Sequence, residues 1–110
     1  MALNFKHPVQ RVLSATADVQ YAPSGVSFQI DSLKFTNTSG VDVTVSVWTT
    51  SGGGPSDSTL TLIDYPVPAR ATKKPFEVSA DVIEDGMQLY ASASVAGVVT
   101  LAVSGRTKTV

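Results

Sequence analysis

The sequence predicts an all-β protein, a single antiparallel β-sandwich of jelly-roll or immunoglobulin-like type with about seven to eight strands. Three observations lead to this prediction. The chain has 110 residues, which is enough for one domain. It contains 16 valines and 12 threonines but only two glutamates, and β-branched side chains fit a pleated sheet better than a helix. Turn signals separate the apolar runs at the spacing typical of sandwiches.

Each predicted strand is a run in which apolar and polar residues alternate, so that one face is apolar. In chain order the apolar positions are Val26, Phe28 and Ile30; Leu33 and Phe35; Val41, Val43, Val45 and Val47; Leu60 and Leu62; Phe76, Val78, Ala80 and Val82; Leu89, Ala91 and Ala93; and Val99, Leu101 and Val103. Residues 12–19 are a weaker strand candidate. The change of parity at Asp31-Ser32 predicts a β-bulge or a bend.

Turn residues stand between these runs. They are Pro23-Ser24-Gly25, Asn37-Thr38-Ser39-Gly40, Gly52-Gly53-Gly54-Pro55, Glu84-Asp85-Gly86 and Ala96-Gly97. Because links this short join neighbouring strands, the pairing is predicted to be antiparallel. The triplet Asn37-Thr38-Ser39 also matches a glycosylation acceptor, but we interpret it as a turn because no apolar signal-peptide segment is found at the N-terminus.

The predicted domain organisation is an N-terminal arm, residues 1–9, followed by the sandwich, residues 10–110. The first nine residues show no alternation and include Pro8. They are either a frayed terminus or an arm that becomes ordered against a neighbour. Phe5 favours the arm, because an aromatic ring left in water gains nothing. On that interpretation, deleting residues 1–9 leaves the fold intact but weakens binding to the partner.

Composition argues against several classes of function. The formal charge is −1, whereas a nucleic-acid binder usually has a basic field over one face. We therefore expect no nucleic-acid partner and interpret the basic residues Arg70, Lys73 and Lys74 as a solvated loop. The uncharged stretch Gly86–Gly105 is long enough to cross a bilayer, but its recurring polar residues predict two strands and no membrane partner.

No residue set in the sequence supports catalysis or a cofactor, so the chain is predicted not to be an enzyme. With no cysteine and one histidine, thiolate and multi-histidine metal sites are excluded. A Ser-His-Asp site would have to use His7, beside Pro8 in the least structured part of the chain. We interpret Glu77, Glu84 and Asp85 as solvated surface charges and assign no catalytic, cofactor-binding or metal-binding residue.

Trp48 and Tyr90 are the candidates for contact with a partner, because each has the parity opposite to the buried row of its strand. Such an aromatic either binds a sugar or a protein, or covers the edge of the core. Phe5 and His7 of the arm complete the candidate partner-binding residues. Charged residues, which usually protect exposed sheet edges, make up only 15% of the chain. Neighbouring copies are therefore predicted to cover the edges, which makes the protein a homo-oligomer.

A series of short motifs follows a characteristic order along residues 21–105. The motifs are Tyr21-Ala-Pro23, Thr36-Asn-Thr-Ser39, Ser51-Gly-Gly-Gly-Pro-Ser-Asp57, Tyr65-Pro-Val-Pro68, Glu84-Asp-Gly-Met-Gln-Leu89, Ala91-Ser-Ala-Ser94 and Val103-Ser-Gly105. This order resembles that of small β-sandwich virion proteins of tailed bacteriophages. Arg106 departs from the resemblance, since such proteins commonly have an acidic residue after the closing Ser-Gly.

The resemblance implies a non-enzymatic structural protein of the virion, made in the host cytoplasm. The leading expectation is a capsid decoration or cement protein that binds the major capsid protein in many copies and forms a homo-oligomer on the particle. One alternative is a neck, collar or tail-fibre-associated component. An alternative from another class, based on Trp48 and Tyr90 and not on the resemblance, is a carbohydrate-binding adhesion module.

Overall fold

The computed structural model describes residues 3–51, 54–55, 60–75 and 82–109, and the side chains of residues 11–51, 54–55, 60, 62–75 and 82–108. This part of the chain contains nine β-strands and no helix. The strands are β1 (Leu3–Val12), β2 (Asp18–Tyr21), β3 (Val26–Asn37), β4 (Val43–Thr50), β5 (Leu60–Val67), β6 (Thr72–Lys73), β7 (Val82–Ile83), β8 (Gln88–Ala93) and β9 (Val99–Thr109). The predicted run Phe76–Ala80 and most of the glycine-rich loop lie outside the described residues.

The strands form two antiparallel sheets that pack face to face. The first sheet has the order β1-β9-β3, and β6 and β7 both pair with the remaining edge of β3; the second has the order β2-β8-β4-β5. When β6 and β7 are counted as one strand position, this is the strand order of a jelly roll. The prediction of an antiparallel sandwich is confirmed, and the strand order decides between the two types left open by the sequence.

The core lies between the two sheets and is formed by the alternate positions of the central strands. Its fully buried side chains are Leu13, Phe28, Ile30, Leu33, Phe35, Val43, Val45, Val47, Val67, Ile83, Leu89, Ala91, Ala93, Val99, Leu101 and Val103. Most of these are the apolar positions that alternation predicts. Burial of the apolar rows in both sheets is therefore the main force that holds the two layers together.

The predicted irregularity at Asp31-Ser32 is confirmed. The pairing of β3 with β9 shifts between Ile30 and Ser32, while Asp31 is exposed. A bulge of this kind inserts one residue, so the apolar positions on both sides of it can still point into the core. This explains why Ile30 and Leu33 are both buried although they differ in parity.

Three details of the predicted strands are wrong. Val41 is 55% exposed and precedes β4, and Val82 is 49% exposed while its neighbour Ile83 is fully buried. Residues 12–19 belong to two strands, since β1 ends at Val12 and β2 begins at Asp18. Sequence alternation identifies which side of a strand faces the core. Where each strand begins and ends depends on tertiary packing.

The segment predicted to be an arm takes part in the first sheet. β1 pairs with β9 from Leu3 to Val12, so the strand crosses the proposed boundary at residue 9. The pairing shifts between Lys6 and Val9, around Pro8, where a residue without an N–H group is tolerated best. Backbone pairing needs no apolar alternation, which is why the strand is not visible in the sequence. Deleting residues 1–9 would remove most of β1 and is not a clean test of partner binding.

The triplet that matches a glycosylation acceptor forms a tight corner. Asn37 is 1% exposed, and its amide group is engaged within the molecule: Nδ2 donates to the carbonyl oxygens of Val41 at 2.7 Å and Val67 at 3.1 Å. Its Oδ1 atom accepts from the backbone N and the hydroxyl of Ser39. The interpretation of this triplet as a turn is confirmed, with the asparagine as its structural centre.

The uncharged stretch Gly86–Gly105 forms β8, a turn and most of β9, as the sequence predicts. Gly97 in this turn has a φ of 81° and Gly86 before β8 has a φ of 88°, a backbone region that favours glycine. In the described residues there is no helix with the length and apolarity needed to cross a membrane.

Candidate interaction surfaces

The outer face of the second sheet is uncharged along its two central strands. Burial alternates from Val43 to Trp48 of β4 and along the whole of β8, which identifies the outward positions there. Those positions are Thr44, Ser46, Trp48, Gln88, Tyr90 and Ser92. None of these six residues is a lysine, arginine, histidine, aspartate or glutamate, and four of them have hydroxyl groups. Covering such a face with a neutral partner has a small desolvation cost, because no charged group has to leave water.

Trp48 and Tyr90 lie opposite each other on this face. They are Cα partners in the β4–β8 ladder, and both are partly exposed. Val19 of β2 is in turn the partner of Tyr90, and Leu60 of β5 is the partner of Trp48. One row of apolar and aromatic residues thus crosses all four strands. We call this row, Val19, Tyr90, Trp48 and Leu60, the aromatic row.

A bulge in β5 places an exposed apolar residue near the edge of the same sheet. The pairing of β4 with β5 passes from Val45–Tyr65 to Val47–Leu62, so Ser46 faces both Ile63 and Asp64. Asp64 has a φ of 45°, and its N–H donates to the hydroxyl of Ser46 at 3.1 Å. Ile63 is 66% exposed. The bulge interrupts regular pairing along this edge strand and leaves Ile63 available for contact.

The outer face of the first sheet is different, because it is charged. Its outward positions on β3 and β9 include Asp31, Lys34, Arg106 and Lys108. A groove of about 240 Å³ lies on this face. The groove is lined by Ser27 and Gln29 of β3, Val82 of β7, and Arg106 and Lys108 of β9. The two sides of the sandwich therefore present different chemistry to their surroundings.

Of the four candidate partner-binding residues, the structure brings Trp48 and Tyr90 together and describes no side chain for the other two. Phe5 is the Cα partner of Arg106 in the β1–β9 ladder, and His7 falls within the register shift between Lys6 and Val9. The side chains of Phe5 and His7 lie outside the described residues. Their role in binding stays a prediction.

Outside the aromatic row and the groove, the polar and aromatic residues that the structure describes form no further candidate site. Arg70, Lys73 and Lys74 are all exposed, as expected for solvated charges, but Lys73 belongs to strand β6, so the prediction that all three lie in a loop is wrong. Among the residues that the structure describes, no three histidine, cysteine, aspartate or glutamate side chains are grouped so that they could hold a metal ion. Tyr21 packs edge-on against Phe28 with the ring centroids 5.0 Å apart, and burial raises the pKa of its hydroxyl group.

Sequence reasoning missed the groove and the pairing of the two aromatics. The alternation of Arg106 and Lys108 on β9 does show that the two cations share a face. What the sequence does not show is that β3 lies beside β9, with Ser27 opposite Lys108 and Gln29 opposite Arg106. In the same way, Trp48 and Tyr90 are 42 residues apart in sequence and meet only through strand pairing.

Comparison with protein-family models, with curated proteins and with solved structures found no match to this chain.

Proposed function

We propose that the chain is a non-enzymatic structural protein of a tailed-phage virion, which decorates the capsid by binding the major capsid protein in many copies. The observation that carries the proposal is the aromatic row, which crosses a sheet face that is uncharged along its two central strands. Partly exposed aromatic residues at the centre of a face are typical anchors of protein interfaces. The jelly-roll strand order agrees with this role, since the fold is widely used in capsid proteins, although fold alone does not prove function.

The aromatic row is the contact that we expect to bind the capsid. Val19 is 36% exposed and Ile63 is 66% exposed, so apolar groups extend the contact on both sides of the Trp48–Tyr90 pair. Copies arranged symmetrically on a particle would add their individual contacts as avidity, which makes a modest single interface sufficient. The edge strands β1 and β5 offer further backbone groups for pairing with a neighbouring chain.

The first test is the number of copies in purified particles of a tailed phage that encodes the chain, measured by quantitative mass spectrometry. A decoration protein is expected in many symmetric copies, and density for it should cover the capsid shell in cryo-electron microscopy. A few copies at one vertex would instead identify a neck, collar or tail-fibre-associated component. If the protein is absent from the particles, the structural role is wrong.

The second test is substitution of the central aromatic residue. Trp48→Ala should weaken binding to particles that lack the protein by about thirtyfold, which corresponds to the roughly 2 kcal/mol typical of an interface anchor. Val41→Ala is the matched control, because Val41 is apolar and 55% exposed but lies in the turn before β4. Equal binding by both variants and the unsubstituted protein would show that the aromatic row is not the contact.

Carbohydrate binding is a second candidate function for the same face. The observation in its favour is that Thr44, Ser46 and Ser92 place hydroxyl groups on the uncharged face that carries Trp48 and Tyr90. Neutral sugars stack on aromatic rings and exchange hydrogen bonds with hydroxyl groups. Binding on a glycan array that is lost in both Trp48→Ala and Tyr90→Ala would support adhesion. Particle binding by the unsubstituted protein, without glycan binding, would support decoration.

A further inference from the structure

The groove on the first sheet has the arrangement of a small binding site. Two short cross-strand pairs form its floor: Ser27 lies opposite Lys108, and Gln29 lies opposite Arg106. Val82, the partner of Gln29 on the other side, forms an apolar wall and is 49% exposed. All five residues lie on strands, so the site is held by the ladder hydrogen bonds of three neighbouring strands and not by a loop.

Arg106 is held in position without being buried. Its Nη2 and Nε atoms donate to Oδ1 of Asp31 at 2.7 and 3.2 Å, and the two side chains are 35% and 37% exposed. The Nη1 group has no partner among the described residues. An arginine that is oriented by one carboxylate, and whose Nη1 group binds no described residue, is well suited to bind a second carboxylate.

The other polar groups of the groove are also available. The side chains of Ser27, Gln29 and Lys108 form no hydrogen bond with any residue that the structure describes. Lys108 is exposed, and no acidic residue is paired with it within the described residues. After the Asp31–Arg106 pair is counted as neutral, the described residues of the groove retain one positive charge. The site therefore favours an anionic group that is small enough to be shared by Lys108, Gln29 and Ser27.

We propose that this groove binds the carboxylate side chains of an extended, acidic protein segment. Arg106 and Lys108 are two residues apart on one strand, which separates them by about 7 Å. Alternate residues of an extended peptide have the same spacing, so two carboxylates at every second position can face both cations. The methylene groups of glutamate would contact Val82. The site is separate from the aromatic row and does not depend on the virion role.

The charge distribution favours a protein segment over a nucleic acid. A phosphate backbone requires several cations spread along its path, whereas this groove has two, one of which already faces Asp31. Two carboxylates at alternate positions need only these two cations and neutral donors such as Gln29 and Ser27, which the groove supplies.

A binding measurement with a defined probe tests this proposal. The probe is a short fluorescent peptide that alternates glutamate and serine, titrated into the full chain at about 0.15 M salt, where long-range charge effects are screened, and the control peptide has glutamine in place of glutamate. Lys108→Glu should weaken binding of the probe at least about tenfold, because it places a like charge in the site. Arg106→Gln should weaken it as well.

Lys73→Glu is the matched control, because Lys73 is exposed on β6 and the change in net charge is the same. It should alter the affinity less than about twofold, because charges farther apart than the Debye length are largely screened. Equal weakening by Lys73→Glu and Lys108→Glu would show non-specific attraction and overturn the proposal. Equal affinity for the glutamine peptide would also overturn it, and so would tighter binding of a single-stranded oligonucleotide that is lost in Lys108→Glu.

Chemical-shift mapping provides an independent readout of the same complex. Addition of the acidic peptide should shift the backbone amide signals of Ser27, Gln29 and Lys108. Shifts that are confined to the face with Trp48 and Tyr90 would place the peptide elsewhere and contradict the proposal.

Discussion

Gly105→Ala is expected to destabilise the fold by about 3 kcal/mol or more, the upper end of the range for overpacked cores. Gly105 lies in β9 opposite Ile30. A Cβ atom at this position would overlap the carbonyl oxygen of Gln29 and come within 2.6 Å of Cζ of Phe28. Phe28 is fully buried, and the carbonyl group belongs to a paired strand, so neither can move without disturbing the core. Urea unfolding should show a clearly lower midpoint with little change in slope.

Gly40→Ala provides the control for this experiment. No atom lies within 4 Å of a Cβ built at Gly40, and its backbone does not have a positive φ. The substitution should change the free energy of unfolding by less than about 0.5 kcal/mol. If Gly105→Ala were as stable as Gly40→Ala, the packing of Phe28 against β9 described above would be wrong.

Asn37→Ala is expected to have the second largest effect, a loss of about 3 kcal/mol. The substitution removes four side-chain hydrogen bonds that join the end of β3 to the turn residues 38–42 and to β5. Val67 is fully buried, and its carbonyl oxygen loses the Nδ2 group of Asn37 as a donor. A buried acceptor that loses its partner carries the full cost of desolvation, which is why one polar residue matters this much. Thermal unfolding should show a decrease of about 10 °C or more.

Two further variants separate the amide from the rest of the corner. Asn37→Asp keeps the shape but replaces the donor with an acceptor that faces two carbonyl oxygens, so it should be as destabilised as Asn37→Ala. Ser39→Ala removes only the hydroxyl contacts with Asn37 and Val41 and should cost about 1 kcal/mol. If Asn37→Asp had the stability of the unsubstituted protein, the assigned donors would be incorrect.

The candidate surfaces show how far sequence reasoning extends. Parity alone indicated that Trp48 and Tyr90 point away from the buried rows, and the structure places both on an outer face. Parity did not indicate that they are neighbours, because that depends on the register of β4 against β8. The sequence predicts that Phe5 belongs to a separate arm, because the pairing of β1 with β9 is made by backbone groups and has no signature in the side chains.

Reasoning from the amino-acid sequence alone predicts an antiparallel β-sandwich, the positions of its main turns, and the side of most strands that faces the core. These properties follow from local rules: β-branched residues and strict alternation define a two-faced strand, and glycine or asparagine permits the turns between strands. The jelly-roll strand order, the aromatic row and the groove beside Arg106 become visible only in the folded chain. These features depend on which strands become neighbours, and that choice is made by the joint packing of residues far apart in the chain.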